Sequence, residues 1–530
     1  MADSNAKTGL VYLVGTGPGD PELVSLKAVR LLDLCDVVVY DNLVPDELVI
    51  TLPRQVERHY VGKRAGTHAL TQDEINALLV KLAQQGKTVV RFKGGDPFVF
   101  GRGAEEAQFL KDHGVPFVVV PGMTAGITAP ASVGIPCTDR RRSAWVMLAT
   151  GHKASSPGFA EVPWDWVGKA QEGTLIIYMG VSEIENIVSR LITSGLSPET
   201  PAAVIERGGF PTQRVFRSSL AGMPDTVKHE HVHPPAVFVI GDTVDLHEHL
   251  AQPVRLPLFG ARILVTRPVS QSRELYRTLR ELGAEVQPFA TIKTERVHDS
   301  DGWTQLNSLT AGNKWIVFNN ENGVRHFLDQ WLEWHPDIRT LNDFRIVTVG
   351  RRAERVLRSR RLVPDLAFGA TMDANIAEQM ATVDGTQSQV VWVCGNRRDT
   401  VGEQKLSDAG HTVMPLQVYR TVPITWGEEI KAKLMSFPPN VVLFSSGASV
   451  ASLADNLTDD EREQIIGRAA IVSIGPATSR AVRSRDWTVT VEAKRFSLDG
   501  TIDELIQYWS THLPELSVVE PSVSVVPITH

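Results

Sequence analysis

Three cysteines in 530 residues are too few for a disulfide framework. Cys35, Cys137 and Cys394 stand far apart and form no CxxC pair, so no zinc site is expected either. Such usage suits a reducing, cytoplasmic setting. Basic charge is also short. Fifty-four Lys and Arg face 61 Asp and Glu, a formal net charge of −7. A general nucleic-acid binder is therefore disfavoured, and an anionic ligand must be met by local basic clusters. Long apolar runs are broken. Residues 114–138 carry no charge, but Pro116, Pro121, Pro130 and Pro136 would leave unpaired backbone groups in lipid. A strand at 117–120, a Pro121-Gly122 turn and a short helix are expected there instead of a membrane span. Residues 1–7 are polar and lack the apolar core of an export signal.

What is present reads as a soluble α/β protein. At about 150 residues per domain the length allows three or four domains, each able to bury a core. A short apolar strand at 10–14 runs into Gly15-Thr16-Gly17-Pro18-Gly19-Asp20. Asp20 is a good helix cap and Pro21 suits the first helical position. One helix burying Val24, Ala28, Leu31 and Cys35 should follow, then a strand at 37–40 that delivers Asp41. The loop is G-x-G-x-G with a carboxylate where a dinucleotide fingerprint needs glycine, so NAD is not expected. An extended run at 56–61 ends in Gly62-Lys63-Arg64, and Thr71-x-x-Glu74 is a capping box. The run Val90-Arg91-Phe92-Lys93 reads as a buried strand that ends in Gly94-Gly95-Asp96-Pro97. The strand at 117–120 ends in Pro121-Gly122-Met123-Thr124-Ala125. One edge of a parallel sheet thus collects a glycine loop, Asp41, Lys63, the GGD turn and the PGMTA turn, and in open α/β sheets that edge binds ligands.

A second α/β unit starts near Ser143, with strands at 145–149, 174–179, 202–205 and 236–240 and a helix at 182–193. Residues 247–258 are a linker marked by His247, His249, Pro253 and Pro257. Beyond it, short apolar runs at 263–266, 314–318, 345–349, 390–394, 441–444 and 471–474 each end in a polar or glycine-bearing turn and lead into an amphipathic helix. Helix N-termini in such units suit carboxylates. Residues 513–530 are apolar but proline-broken, and are expected to be disordered.

The segments VGTGPGDPELVSLKA, VVVYDNLV, VGKRAG, VVRFKGGDPFVFGRGAEE, VPFVVVPGMTA, LATGH and IIYMG resemble the tetrapyrrole methylases, and among them the uroporphyrinogen-III C-methyltransferases, over residues 9–246. The resemblance implies sub-domains at about 9–138 and 143–246 with S-adenosylmethionine (SAM) between them. It also implies methylation of two pyrrole carbons of uroporphyrinogen III to give precorrin-2, for siroheme or cobalamin, in a homodimer formed through this half. By the same resemblance Asp41 is a base and Lys63 a proton donor. A turn carboxylate and a solvated lysine are the plain alternative. SAM contacts fall on Pro18, Gly94, Gly95, Asp96, Val99, Thr124, Ala125, Met179 and Gly208, though Met179 alone would read as core. The substrate carries eight carboxylates. Arg64, Lys93, Arg102 and the run from Arg140 to Arg142 are candidates to meet them, with only part of that run facing the cleft.

The series ILVTRP, WIVFNNENGV, IVTVGRRAERVL, WVCGNRR, PLQVYRTVP, VVLFSSGASV and IVSIGPATSRAV resembles uroporphyrinogen-III synthase over about 259–512. The resemblance implies two α/β lobes, one from 259–291 plus 422–512 and the other from 292–421, and closure of hydroxymethylbilane without a cofactor. Tyr419 matches the family's tyrosine, and Arg267, Arg351, Ser446 and Thr478 are candidate carboxylate contacts. Asn319-Asn320 departs from the family's small-hydroxyl turn. The second half's product is then the first half's substrate. Small-molecule substrates are the expected partners, with no nucleic acid and no membrane. Two alternatives stay open: another methylase of the same fold, and a synthase-like half that senses ligand without catalysis.

Overall fold

Period-two alternation builds the first sheet. Val11, Leu13, Val37, Val39 and Val89 join one buried cluster, while Val14, Val38, Val90 and Phe92 join another on the opposite face. A sheet buried on both faces needs such continuous apolar runs. The computed structural model describes residues 8–53, 55–62, 70–151, 161–170, 172–251, 256–309, 313–369, 375–384, 387–396, 398 and 400–512. Its strands β1 (Val11–Gly15), β2 (Val37–Tyr40), β3 (Glu57–Tyr60), β4 (Val89–Lys93) and β5 (Phe117–Val120) pair in the order β3-β2-β4-β1-β5. Every pairing is parallel.

The second sheet is mixed. It orders β6 (Trp145–Thr150), β7 (Gly173–Tyr178), β8 (Pro201–Glu206), β9 (Arg214–Ser219) and β10 (Ala236–Ile240) as β6-β7-β10-β8-β9. Only β6 and β7 run parallel. The sequence reading lacks β9. It is an edge strand with Arg214 and Arg217, and Phe216 is its one buried residue, so it carries no apolar run.

One expected element is divided. The single helix after Asp20 is a 3-10 turn, Pro21–Leu23, followed by a helix at Leu26–Leu31. Asp20 caps the first through Glu22 N at 2.8 Å. Val24 is extended, and Ser25 then caps the second piece through Ala28 N at 3.2 Å. Two capping side chains five residues apart make two starts. Ala28, Leu31 and Cys35 are buried as expected. The uncharged stretch 114–138 resolves into β5 and the helix Ala125–Ser132, which contains Pro130. Among the described residues no helix is long and apolar enough to cross a membrane.

By its contacts the chain divides into two units, one running to Phe289 and resuming at Trp426, the other covering Ala290–Thr425. The first unit continues past the mixed sheet with β11 (Arg262–Val265) and β12 (Glu285–Gln287). The second unit holds β13 (Ile292–Arg296), β14 (Lys314–Phe318), β15 (Arg345–Val349), β16 (Leu366–Phe368), β17 (Gln389–Cys394), β18 (Thr412–Gln417) and β19 (Tyr419–Pro423). Its sheet is parallel in the order β16-β15-β14-β17-β18, and β13 and β19 form an antiparallel ribbon. The first unit resumes with β20 (Val441–Phe444), β21 (Ala470–Ser473) and β22 (Val491–Glu492), which complete a parallel sheet ordered β12-β11-β20-β21-β22. The fold is α/β throughout, with strand-then-helix repeats in every sheet. The apolar tail at 513–530 lies outside the described residues.

Candidate active site

The connections after β1 and β4 depart in opposite directions across the first sheet, so a crevice opens at their carboxyl ends. Backbone bonds lock the loops there. Thr16 donates to the Lys93 carbonyl through N at 2.9 Å and through Oγ1 at 3.1 Å. Gly17 N donates to Gly95 O at 3.2 Å, and Gly95 N returns a bond to Gly17 O at 2.7 Å. Gly122 N donates to Asp96 Oδ2 at 3.0 Å, and Phe98 N to Asp96 Oδ1 at 2.8 Å. Both Asp96 oxygens therefore hold loops, and of the roughly four acceptor positions of a carboxylate two are left over. Gly122 admits no side chain, because a β-carbon would strike the Gly95 carbonyl and the Gly15 backbone. Gly95 differs. Its φ is +67°, and a β-carbon there would meet nothing nearer than Ala125 N at 3.9 Å. The ground beside Thr124 and Ala125 is open, as a ligand lying on the backbone requires.

The mixed sheet reaches the same loops. The Tyr178 hydroxyl bonds Thr124 Oγ1 at 2.7 Å and accepts from Gly126 N at 2.7 Å. Burial holds this phenol above its ordinary range. Met179 follows at φ +53° and is 51 % exposed, so the core reading of that side chain is corrected. Leu43, Phe98, Phe100 and Met123 are also exposed on these loops, and Phe100 packs on Tyr178 at 4.9 Å. Val99 is half-buried against the cluster that holds Ala129 and Tyr178. Gly208 packs against Ala129, and a β-carbon on Gly209 would meet Pro18 at 3.2 Å. The fold thus gathers Pro18, Gly94 to Asp96, Val99, Thr124, Ala125, Met179 and Gly208 around one crevice.

Asp41 sits at the carboxyl end of β2. It accepts from Leu43 N at 3.1 Å and from Arg91 Nη2 at 3.2 Å. Behind it lies a buried charge cluster. Glu106, 0 % exposed, accepts from Lys93 Nζ at 2.8 Å, Arg91 Nε at 3.3 Å and Gln72 Nε2 at 3.2 Å. Lys93 is one of the candidates for the substrate's carboxylates. Instead it is buried on Glu106, because residues 91 and 93 share a face of β4 with Val89, turned toward the helices Gln72–Gln84 and Gly103–Asp112. Burial, and secondarily Arg91, pulls its ammonium below the ordinary lysine range. The sequence did carry a signal for this cluster: two cations at alternate positions of an otherwise apolar strand need a buried acid. Arg102 is exposed and pairs with Glu105 through two bonds of 3.0 and 2.7 Å. Arg140 is exposed on the turn between Asp139 and Ser143, whereas Arg142 donates to the Asp242 carbonyl. Lys63 and Arg64 lie outside the described residues.

In the first unit's second parallel sheet, Ser446 caps the helix Gly447–Asn456 by accepting from Ser449 N at 3.3 Å. Thr478 is buried at the start of the helix Pro476–Arg483. These helices follow the adjacent strands β20 and β21, so two N-termini lie side by side. Arg267, a candidate carboxylate contact, is buried and donates to the Gln271 carbonyl at 3.2 Å, which fastens its own turn. In the second unit, Arg351 is exposed and opens the helix Arg351–Ser359. Tyr419 is buried at the start of β19 and stacks on His326 at 5.6 Å. Burial raises its phenol, and hydrogen bonds with Asn320 and Asn322 oppose that rise. Asn320, at the unusual turn, also caps the next helix through Gly323 N at 2.9 Å.

Two enzyme folds in one chain define the class: a tetrapyrrole methylase followed by a uroporphyrinogen-III synthase. The profile of the tetrapyrrole (corrin/porphyrin) methylases matches residues 10–224, and that of uroporphyrinogen-III synthase HemD matches residues 273–503. The porphyrin biosynthesis protein HemD of Ruminiclostridium josui is 31 % identical over 507 residues, 94 % of this chain and 98 % of that one. The siroheme synthase of Saccharophagus degradans is 49 % identical over 245 residues, 46 % of this chain and 53 % of its own. The chain spans about half the length of such siroheme synthases. A crystal structure of uroporphyrin-III C-methyl transferase from Thermus thermophilus with S-adenyl homocysteine is 37 % identical, covering 44 % of this chain and 93 % of its own, with a TM-score of 0.38. The chain belongs to the porphyrin-biosynthesis family of the R. josui protein, and is a bifunctional enzyme of tetrapyrrole biosynthesis.

Proposed function

We propose that the C-terminal half closes hydroxymethylbilane to uroporphyrinogen III and that the N-terminal half methylates two pyrrole carbons of that product, giving precorrin-2 for siroheme or cobalamin. The observation that carries this reading is the crevice at β1 and β4, where locked glycine loops leave open ground beside Thr124 and Ala125 with Asp41 close by in the next loop. SAM supplies an electrophilic methyl group when bound there. Pro18, the Gly94-Gly95 backbone, the two remaining acceptor positions of Asp96, Val99, Thr124, Ala125, Met179 and Gly208 hold it. The exposed apolar side chains on the same loops take the macrocycle face, and Arg64, Arg102 and Arg140 take its carboxylates. As the carbon–methyl bond forms and the sulfur–methyl bond breaks, the pyrrole becomes cationic and must lose a proton. Asp41, oriented by Arg91 and Leu43 N, receives it. Lys63 returns a proton where one is needed.

In the synthase half the work is holding a flexible polyanion in one fold, without a cofactor. Tyr419 hydrogen-bonds the leaving hydroxyl, and Arg351, Ser446, Thr478 and Arg267 serve the carboxylates or the turns that bind them. The enzyme works in the cytoplasm as a homodimer formed through its methyltransferase half. The test is an anaerobic assay with fresh hydroxymethylbilane, with and without SAM. Type III macrocycle alone without SAM, and precorrin-2 with it, is the expected outcome. Only the type I isomer without SAM would leave the C-terminal half a ligand sensor. Type III macrocycle that is never methylated would overturn the crevice assignment.

A further inference from the structure

We propose that the part of the C-terminal half that lies in the first unit is a working part of the methyltransferase, clamping the two loops that carry Asp41 and Gly208. This inference rests on the crevice reading above. The first loop runs from Asp41 into the helix Asp46–Ile50. Asp46 takes Lys433 Nζ at 2.5 Å, Glu47 takes Arg280 Nη2 at 3.1 Å, and Arg273 donates to the Thr51 carbonyl at 3.3 Å. Tyr40, immediately before Asp41, donates to Glu429 at 3.3 Å. Ile50 packs into the core of the β11 sheet.

The second loop follows β8. Arg207 precedes Gly208 and holds φ +51°, a conformation that a residue with a side chain rarely adopts unaided. Its side chain is 13 % exposed, and the guanidinium pairs with Glu285 at 2.6 Å. It stands between the rings of Phe210 at 4.5 Å and Phe437 at 4.6 Å. Thr212 donates to the other Glu285 oxygen at 2.7 Å, and Gly260 N donates to the Pro211 carbonyl at 3.3 Å. Glu285 and Phe437 belong to the C-terminal half, so the strained residue beside Gly208 is held from there.

Charges cross this seam in both directions: acids at 46 and 47 meet cations at 433 and 280, and the cation at 207 meets the acid at 285. A cavity of about 350 Å³ lies along it, lined by Asn42, Leu43, Gly209 and those pairs. Each of its cations Arg207, Arg280 and Lys433 already has a carboxylate. The cavity is therefore a seam that transmits position and not an anion pocket.

The test uses the full-length protein. Glu285→Ala frees Arg207 and Thr212 and should raise KM for SAM on the order of five- to tenfold, with type III ring closure within about twofold. Arg280→Glu should lower kcat for methyl transfer by a similar factor, and the double variant Glu47→Arg with Arg280→Glu should restore it at unchanged thermal stability. Rescue by the swap is an outcome that loss of folding cannot produce. Methyl transfer within twofold of the parent in both single variants would overturn the clamp. A parent protein that does not methylate at all would instead overturn the crevice reading.

Discussion

Replacing Glu106 by glutamine removes one charge from a buried set of three. Glu106 has no exposed surface, and its two cationic partners, Arg91 and Lys93, have side chains 4 % and 6 % exposed. Removing one member of a buried ion pair costs about 3–5 kcal/mol, because the remaining charge is neither solvated nor paired. The glutamine carbonyl can still accept from Lys93, which favours the lower end, about 3 kcal/mol. At about 2–4 °C per kcal/mol for a domain of this size, Tm should fall by roughly 6–12 °C. The penalty should also depend on pH. Burial already places the folded-state Lys93 pKa below its ordinary 10.5, and Glu106 acts against that depression. Without Glu106 the depression deepens. Between the lowered value and 10.5 the unfolded chain binds more protons than the folded one, so stability rises with pH across that window. The window reaches lower pH in the variant, so the gap between variant and parent should narrow as pH rises toward the lysine range. Thermal melts from pH 7 to about pH 9.5 read this out. A loss below about 2 °C at pH 7, or a gap that widens with pH, would refute the idea that Glu106 neutralises two desolvated cations.

Asp41→Asn should lower kcat for methyl transfer by about 10²–10⁴ while SAM affinity, measured by calorimetry, stays within twofold. Gly122→Ala forces apart the Gly15 and Gly95 backbones, and equilibrium binding should show SAM affinity weakened by at least about tenfold. Tyr419→Phe should slow type III ring closure by about tenfold, the worth of one hydrogen bond, with methyl transfer unchanged in the same preparation. Because burial raises the Tyr419 phenol above its ordinary 10.0, any loss of ring-closure rate through its ionisation should have its midpoint above pH 10 in a pH–rate profile of the parent.

Strand positions were legible wherever both faces of a sheet are buried. Residues 37–40, 117–120, 314–318, 345–349 and 441–444 read as strands and are strands, because each is an apolar run bounded by turn residues. The edge strand β9 was not legible, since its one buried side chain leaves no pattern. The glycine turns and Asp41 were visible as strand-end punctuation. The partners of those residues were not. That Asp96 spends both oxygens on backbone N–H groups, that Tyr178 caps the turn at Thr124, and that Lys93 faces inward are consequences of tertiary packing between segments far apart in sequence. Likewise the ion pairs at Glu47 and Arg207 join positions 233 and 78 residues distant, which no local pattern encodes.

The second unit is inserted into the first, and this orders events during synthesis. β11 pairs with β20, and Thr266 Oγ1 bonds the Leu443 carbonyl 177 residues downstream. At about 5–20 residues per second the ribosome needs roughly 9–35 s to deliver that partner. For that interval Ile263, Leu264 and Val265 form a nascent strand open along one edge, an invitation to wrong pairing. By then both sheets of the N-terminal half can already be complete. Glu285 can reach Arg207 and Thr212 before β20 exists, so the finished N-terminal domain serves as a cradle for an unfinished sheet. Truncations released from the ribosome between about residues 300 and 440 should therefore depend on an intact Arg207 for solubility, and full-length chains should depend on it far less.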